Sequence, residues 1–285
     1  MIVVTGATGN VGRALVRMLA GAEAGSEAGA GAGRAVEVTA VARHITDADV
    51  PPGVRAVAGD LADPAGLHTA FEGAQALFLL VAGEDPDGIL DAAKRAGVRR
   101  VVLLSSQGAG TRPEVYGHPV RFEEAVRGSG LDWTVLRSGG MATNALAWSE
   151  SVRTRRAAEA PFGDVGLPFV DPEDVAAVAA AALLEGAHLG ATYTLTGPAP
   201  TTPRERAEAI AAALGEPVHF TEQTREQAHE LMARFMPLPV VAGTLAILGE
   251  PTEEEQRVSP DVEHVLGRAP GSFAAWAARN AAAFR

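Results

Sequence analysis

The chain has 285 residues, 47% of them hydrophobic, a formal net charge of −11 and no cysteine. These values exclude disulfides and thiolate metal sites, and they disfavour nucleic-acid partners because phosphate backbones repel an acidic surface. The seven histidines are scattered, so no metal site is predicted. No apolar run reaches the roughly 18 residues of a membrane helix, and we expect a cytoplasmic protein with no membrane partner.

Strands and helices alternate from the start of the sequence. A β-rich apolar run at residues 2–5 is followed by a glycine-rich turn and by a helix at 13–20. A longer, alanine-rich helix is predicted at 175–184. The predicted strands lie at residues 2–5, 36–42, 54–58, 76–82, 100–104, 133–136 and 192–195. Because strands that alternate with helices form parallel sheets, the pattern predicts an α/β Rossmann fold with a doubly wound parallel sheet.

Two segments depart from this alternation. Residues 21–33 are mainly glycine and alanine, too poor in bulky apolar groups to offset the entropy of ordering, so we expect a solvated, mobile loop. From Pro203 the sequence is mainly helical, and we expect these helices to form a smaller cap over the carboxyl edge of the sheet. The predicted cap helices span residues 204–214, 225–235, 240–248 and 273–284.

The glycine-rich turn lies between the first strand and the first helix and reads Thr5-Gly-Ala-Thr-Gly-Asn-Val-Gly12. Gly6 permits a tight turn, Gly9 lets a ligand approach the backbone, and Gly12 permits close packing of helix on strand. Backbone N–H groups at such a helix N-terminus bind pyrophosphate. A purely structural turn is the alternative, but the βαβ context predicts dinucleotide binding by Gly6, Thr8, Gly9, Asn10, Val11 and Gly12.

The end of the second strand distinguishes the two nicotinamide cofactors. An NAD site usually has an acidic residue there for the ribose hydroxyls, whereas this sequence reads Ala40-Val-Ala-Arg-His44. The guanidinium of Arg43 can bind a 2′-phosphate through charge-assisted hydrogen bonds, which an acidic residue would repel. The sequence therefore favours NADPH, and the alternative for Arg43 is a solvated arginine at a strand end.

Several further segments carry a resemblance to a known family. The glycine spacing is GxxGxxG rather than GxGxxG, and the other matching segments are Gly59-Asp-Leu61, Ser105-Ser106, 129–139, 170–175 and 193–198. Over essentially the whole chain, these segments resemble the NmrA-like family of atypical short-chain dehydrogenases, which bind NAD(P)H. The resemblance implies cofactor contacts at Asp60 and Leu61 for adenine, at Val81, Ala82 and Gly83 for the ribose and nicotinamide, and at Ser105. We expect a dinucleotide-binding core at 1–150, continued by a strand near 191–197, and a mainly substrate-binding lid at 151–285.

The catalytic pair of typical short-chain dehydrogenases is absent. That pair is a tyrosine with a lysine four residues later, but Tyr116 and Tyr193 are followed at that distance by valine and glycine. Three candidate proton donors remain near the carboxyl edge of the sheet: Ser106, His118 and Tyr116. The alternatives are a structural role for Tyr116 and a pocket-lining or capping role for His118. Asp171 and Asp174 are predicted to cap a helix.

Two functions of different classes are compatible with these features. The first is an NADPH-dependent reductase that transfers hydride to a carbonyl or quinone of an aromatic, polyketide-like molecule, with the proton from water or from the substrate's own hydroxyl. Related NmrA-like proteins include quinone and dye reductases and ketoreductases of angucyclinone-type polyketides. The second is a non-enzymatic regulatory protein that senses NADP(H). We expect a monomer or homodimer.

The predicted substrate contacts are apolar or aromatic except for one asparagine, in agreement with a large flat ligand. They are Met141, Asn144, Trp148, Met232, Phe235 and Met236. The last three belong to the apolar segment 231–241, which is broken by two prolines. Ordinary internal packing is the alternative for this segment.

Overall fold

The computed structural model describes residues 1–21 and 36–285, so the loop predicted at 21–33 lies outside the described residues except for Gly21. The strands are β1 (Ile2–Thr5), β2 (Val38–Ala42), β3 (Arg55–Ala58), β4 (Ala76–Leu80), β5 (Arg100–Ser106), β6 (Asp132–Ser138), β7 (Ala157–Pro161), β8 (Ala191–Leu195) and β9 (His219–Gln223). The α-helices are α1 (Asn10–Leu19), α2 (His68–Phe71), α3 (Pro86–Arg95), α4 (Gly108–Thr111), α5 (Gly117–Gly128), α6 (Ser149–Arg155), α7 (Pro172–Leu184), α8 (Pro203–Leu214), α9 (Arg225–Met232), α10 (Leu238–Gly249), α11 (Glu253–Gln256), α12 (Asp261–Leu266) and α13 (Phe273–Arg279).

The main sheet contains all seven predicted strands, and they lie in the order β3-β2-β1-β4-β5-β6-β8. Every neighbouring pair in it is parallel. The predicted doubly wound parallel sheet is therefore confirmed. The strand order reverses between β1 and β4, and ligands of such sheets bind in the crevice outside the carboxyl ends of the strands at this reversal.

Helices cover both faces of the sheet, which explains why its central strands β1, β4 and β5 are mainly apolar runs. On one face, Val4, Phe78 and Val102 pack in a buried cluster with side chains of α1 and α7. On the other face, Leu77 and Leu103 pack in a second cluster with side chains of α3 and α5. The carboxyl edge between these layers is thus a rigid support for the loops that follow each strand.

The cap contains an element that the sequence did not predict. β7 and β9 pair in parallel as a separate two-stranded sheet, so the region after Pro203 is mainly helical as predicted but also contains a strand at residues 219–223. Neither strand shows the required pattern: β7 reads Ala-Ala-Glu-Ala-Pro, and β9 is largely exposed and polar. Their pairing depends on tertiary packing, which overrides weak β-propensity.

The C-terminal half contributes to both the sheet and the cap. The cap has its own hydrophobic cluster, which includes Trp148, Ile210, Trp276 and Phe284. In contrast, α7 and α12 pack beside β8, and Val262 of α12 belongs to the cluster under the main sheet. The division at residue 150 stays a prediction. In the described ranges, no helix is long and apolar enough to cross a membrane.

Candidate functional site

The glycine-rich turn is fixed at the crevice by β1 and β4. The hydroxyl of Thr5 donates to the Phe78 carbonyl at 2.9 Å and accepts from the Leu80 N–H at 3.0 Å. Gly6 follows with a φ of +63°, a left-handed conformation that favours glycine. A Cβ on Gly12 would lie 2.2 Å from the carbonyl oxygen of Gly6, so the helix can approach the turn only with glycine at this position.

The N-terminus of α1 is open to a ligand. Its N-cap is Gly9, which has no capping side chain, and the first turn carries no acidic side chain. Gly9 and Asn10 are exposed, Thr8 is half-buried, and Val11 packs into the core. The free N–H groups and the helix dipole therefore leave positive partial charge at an accessible surface. This geometry fits the pyrophosphate of a dinucleotide.

The loops after β2, β3 and β4 continue the same edge. Arg43 directly follows β2, is exposed, and makes no ion pair or hydrogen bond with the residues that the structure describes. Asp60 accepts from the Ala62 N–H at 3.0 Å through its carboxylate. Gly83 packs against the carbonyl oxygen of Leu61, where a Cβ would lie at only 2.4 Å. The predicted cofactor contacts, with Val81 and Ala82 half-buried before Gly83, thus line adjoining loops.

Helix α5 holds the loop after β4. The Nε2 atom of His118 lies 2.7 Å from the Gly83 carbonyl oxygen, and Arg121 donates to the Glu84 carbonyl oxygen at 2.5 Å. The His118 ring also contacts Phe122 edge-on, with 5.2 Å between the ring centroids. His118 therefore positions the Gly83 loop, in keeping with its alternative as a pocket-lining residue, and its role as a proton donor stays a prediction.

Ser105 and Ser106 point in different directions because side chains alternate along a strand. Ser105 is buried and its hydroxyl donates to Glu123 at 2.7 Å. Its predicted cofactor contact therefore cannot use a free hydroxyl. Ser106 is partly exposed and accepts from the Gly108 N–H at 3.2 Å, so it is the serine whose hydroxyl lies at the edge.

A buried charge network, which sequence reasoning missed, lies behind Ser105. Glu123 is 1% exposed and binds Arg137 through two hydrogen bonds of 3.0 and 2.7 Å and Arg127 through one of 2.9 Å. Burial raises the pKa of Glu123, but the hydrogen bonds from Arg137 and Ser105 outweigh burial and hold the pKa below its ordinary value. The ionised carboxylate thus ties α5 to β5 and β6.

Tyr116 precedes α5 and contacts the cap. Its ring packs against Gly108, where a Cβ would lie 2.6 Å from it, and a Cβ on Gly243 of α10 would lie 3.9 Å from the same ring. Burial raises the pKa of Tyr116 above its ordinary value. A general acid works best with a pKa near the operating pH, so this environment opposes proton donation. The contacts of Tyr116 are compatible with its structural alternative, and its role as a proton donor stays a prediction.

The C-terminal end of α4, the short helix after β5, is bound to α11. Arg112 forms hydrogen bonds of 2.7 and 2.8 Å with the two carboxylate oxygens of the buried Glu255. The hydroxyl of Thr111 donates to the same carboxylate at 3.0 Å. Because a bidentate arginine pair fixes orientation as well as distance, this contact sets where the cap meets the candidate site.

The predicted substrate contacts fall into two groups that lie in different clusters. Met141 packs against the sheet and Asn144 is exposed. Trp148 is buried in the cap core, where its indole N–H donates to the Glu159 carbonyl at 2.8 Å, so most of its surface is unavailable to a ligand. The second group follows β9: Met232 and Met236 join a small cluster with Val241, whereas Phe235 is 68% exposed.

Asp171 and Asp174, at the start of α7, form hydrogen bonds with different partners. Asp171 is its N-cap and accepts from the Glu173 N–H at 3.0 Å, as predicted. The capping role predicted for Asp174 is wrong, because its carboxylate accepts from the Gly271 N–H at 2.6 Å and from Arg268 at 2.7 Å. Asp171 also lines a cleft of about 220 Å³ beside Gly9 at the N-terminus of α1.

Arg206 was not singled out by sequence reasoning, because an arginine in the helical stretch Pro-Arg-Glu-Arg reads as solvated. It is 6% exposed, and its guanidinium lies 3.8 Å from the Phe169 ring centroid and 5.8 Å from that of Trp148. Burial lowers the pKa of Arg206 to about 10. A desolvated cation–π contact contributes about 2 kcal/mol, whereas burial of an ion costs several kcal/mol. The rings alone therefore do not offset the burial of this charge.

Comparison with known proteins agrees with this geometry. A family model described as NAD(P)H-binding matches residues 6–186. The chain belongs to this NAD(P)H-binding family. The resemblance drawn from the glycine turn and the strand ends is thereby confirmed at the level of the family and its cofactor.

Two relatives of this NAD(P)H-binding chain match it over their full lengths. A (4-alkanoyl-5-oxo-2,5-dihydrofuran-3-yl)methyl phosphate reductase of Streptomyces griseus is 36% identical, covering 100% of this chain and 99% of the relative. An NAD(P)H azoreductase of Xenophilus azovorans is 33% identical with the same coverage. Among solved structures, an NADPH-dependent quinone oxidoreductase of Escherichia coli complexed with NADPH has a TM-score of 0.77 at 23% identity, covering 98% of this chain and 99% of that one. This last likeness shows the fold.

Proposed function

We propose that the chain is an NADPH-dependent reductase that transfers hydride to a carbonyl or quinone of an aromatic small molecule without a Tyr-Lys pair. The observation that carries this proposal is the open N-terminus of α1 at the strand reversal, with the unpaired Arg43 on the neighbouring loop. The relatives support it, because azo compounds, quinones and alkanoyl-furanones are all electron-poor conjugated acceptors.

In this proposal the chain's own residues bind, orient and desolvate, and the bound cofactor supplies the hydride. The turn at Gly6 to Gly12 binds the pyrophosphate, and Arg43 binds the 2′-phosphate. His118 holds the Gly83 loop in place beside the reacting groups. Holding the reactants in the right geometry lowers the activation barrier of the reduction by a large amount, even when no side chain donates a proton. The proton then comes from water or from a hydroxyl of the acceptor, and Ser106 is the hydroxyl best placed to orient it.

Turnover distinguishes this proposal from the alternative of a non-enzymatic NADP(H) sensor. NADPH oxidation is followed by absorbance with naphthoquinones, aromatic ketones, azo dyes and a furanone phosphate ester as acceptors. We expect NADPH oxidation with at least one class of acceptor, and no oxidation of NADPH by that acceptor when the enzyme is left out. Tight NADPH binding with no turnover across the whole panel contradicts the reductase and supports the sensor.

The cofactor preference is tested by Arg43→Ala. Removing one charge-assisted contact with the 2′-phosphate is expected to weaken NADPH binding about 10- to 100-fold and to change NADH binding less than about threefold. Dissociation constants for both cofactors are measured by titration calorimetry. Arg95→Ala, on the exposed side of α3, is the matched control and is expected to change neither constant. Equal weakening of both cofactors by Arg43→Ala contradicts the assignment.

The Tyr-independent mechanism is tested by Tyr116→Phe. We expect kcat to stay within about tenfold of the unmodified enzyme, because loss of a true general acid costs about 100- to 10,000-fold. Thr244→Val removes the α10 hydroxyl that acts to lower the pKa of Tyr116 and is expected to have a similarly small effect. A loss beyond about a hundredfold in Tyr116→Phe, but not in Thr244→Val, would make Tyr116 the proton donor.

A further inference from the structure

Arg206 differs from the other buried ionised side chains in the described part of the chain. Buried acids on α5, α7 and α11 each pair with an arginine: Glu123, Asp171, Asp174 and Glu255. Arg206 is buried to the same degree but has no carboxylate partner among the described residues. Its one hydrogen bond runs from Nε to the Thr202 carbonyl oxygen at 3.4 Å. The two terminal nitrogens of the guanidinium form no hydrogen bond with the residues that the structure describes.

The surroundings place this charge beside the carboxyl edge of the sheet. The Phe169 ring, which stacks on Arg206, is also the nearest neighbour of Gly140, where a Cβ would lie 2.8 Å from it. Gly140 follows β6 and precedes Met141, one of the predicted substrate contacts. The Phe169 ring therefore contacts both Arg206 and the loop that follows β6.

A second polar group near Arg206 in the chain also lacks a partner. The hydroxyl of Thr201 is buried without a hydrogen bond, and Thr201 pairs with Leu167 two residues before Phe169. Buried polar groups are nearly always hydrogen-bonded, and each exception calls for an explanation such as a ligand. The Arg206 guanidinium suits the oxygens of an anion, which a guanidinium binds through two parallel hydrogen bonds.

We propose that Arg206 binds a fixed anionic group of the acceptor, a carboxylate or a phosphate ester, so that the reductase prefers acceptors that carry such a group away from the reducible bond. This inference rests on the proposed reductase function and names the class of its substrate. The electron-poor part would then lie toward the β5 and β6 ends, with the anion anchored under the cap. Phe169 and Trp148 form the apolar walls around the charge.

The test uses three acceptors that share one naphthoquinone ring and differ in the side-chain group and its charge. They are a naphthoquinone with a propionate side chain, the methyl ester of that propionate, and the corresponding phosphate ester. The variants are Arg206→Met, which removes the charge, and Arg206→Lys, which keeps the charge but lacks the planar guanidinium that binds an anion through two hydrogen bonds. Arg204→Met, on the exposed side of the same helix, is the matched control.

We expect the unmodified enzyme to prefer one or both anionic acceptors over the methyl ester by at least about 30-fold in kcat/KM, a preference that Arg206→Met abolishes through KM. The methyl ester is expected to stay within about threefold, Arg206→Lys to be intermediate, and Arg204→Met to keep the preference. Comparison of the propionate with the phosphate ester identifies which anion fits. Equal losses on all three acceptors, or no preference in the unmodified enzyme, overturn the anion site and leave the reductase function standing.

If none of the acceptors is reduced, the result counts against the proposed reductase function and not against the anion site. Binding measurements then test the anion site. Titration calorimetry in the presence of NADP+ is expected to show tighter binding of the propionate than of the methyl ester, and loss of this difference in Arg206→Met. Identical binding of the two compounds overturns the site. Removal of an unpaired buried charge is expected to leave Tm unchanged or raised, and a lowered Tm would instead assign Arg206 a packing role.

Discussion

Gly12→Val is expected to weaken NADPH binding by at least about a hundredfold, or about 2.7 kcal/mol. The Cβ alone would lie 2.2 Å from the Gly6 carbonyl oxygen, and two further methyl groups enlarge the clash. The obstacle is backbone, which cannot rotate away as a side chain can. The turn must therefore move off the N-terminus of α1, and the N–H groups that face the pyrophosphate move with it. Titration calorimetry with NADPH measures the loss.

The matched control for this change is Gly128→Val at the end of α5, where an added Cβ meets nothing within 4 Å. This control carries the same increase in volume and the same β-branch, and it is expected to bind NADPH normally. Circular dichroism checks that Gly12→Val retains its secondary structure. NADPH binding within tenfold of the unmodified protein in a folded Gly12→Val would show that the cofactor does not lie over this turn.

Glu123→Gln is expected to have the largest effect on stability. The change leaves the partly buried Arg137, whose side chain is 25% exposed, without its counter-charge, and breaking a buried ion pair costs about 3 to 5 kcal/mol. At about 2 to 4 °C per kcal/mol for a chain of this size, Tm is expected to fall by about 6 to 20 °C. Differential scanning calorimetry measures this fall.

Two variants show whether the charge network is the cause. Glu124→Gln removes the adjacent, exposed carboxylate and is expected to shift Tm by less than about 2 °C. The double variant Glu123→Leu with Arg137→Met removes both charges and is expected to recover part of the loss, because a buried pair can be replaced by apolar side chains at little cost. A double variant less stable than Glu123→Gln would contradict the electrostatic explanation.

The sheet and the glycine turn were predictable from sequence because their signals are local. β1, β4 and β5 are buried on both faces, so each one reads as an apolar run with helical segments on either side. The turn combines three glycines, a preceding strand and a following helix within a dozen residues. Such signals depend only on neighbours in the chain, which the sequence displays directly.

The features that sequence reasoning missed depend on residues distant in the chain. β7 pairs with β9 across some sixty residues, and neither strand carries an alternating pattern. Arg206 is buried because Phe169 and Trp148 fold over it, although its own helix is rich in charged residues. Ser105 faces Glu123 and Ser106 does not, and this difference depends on how β5 is oriented relative to α5, which the sequence does not show. The number of charges is visible in a sequence, but their partners are not.

The packing of α12 has a consequence for how the chain is made. Val262 is fully buried in the cluster that covers one face of the main sheet, although β8, the last strand of that sheet, ends at Leu195. The cap helices α8 to α11 are synthesised between the two. Domains fold as units while the chain emerges from the ribosome. A nascent chain that has completed every strand of the sheet therefore still exposes apolar surface beside α7 until α8 to α12 have emerged, which makes this face the one that a chaperone would meet.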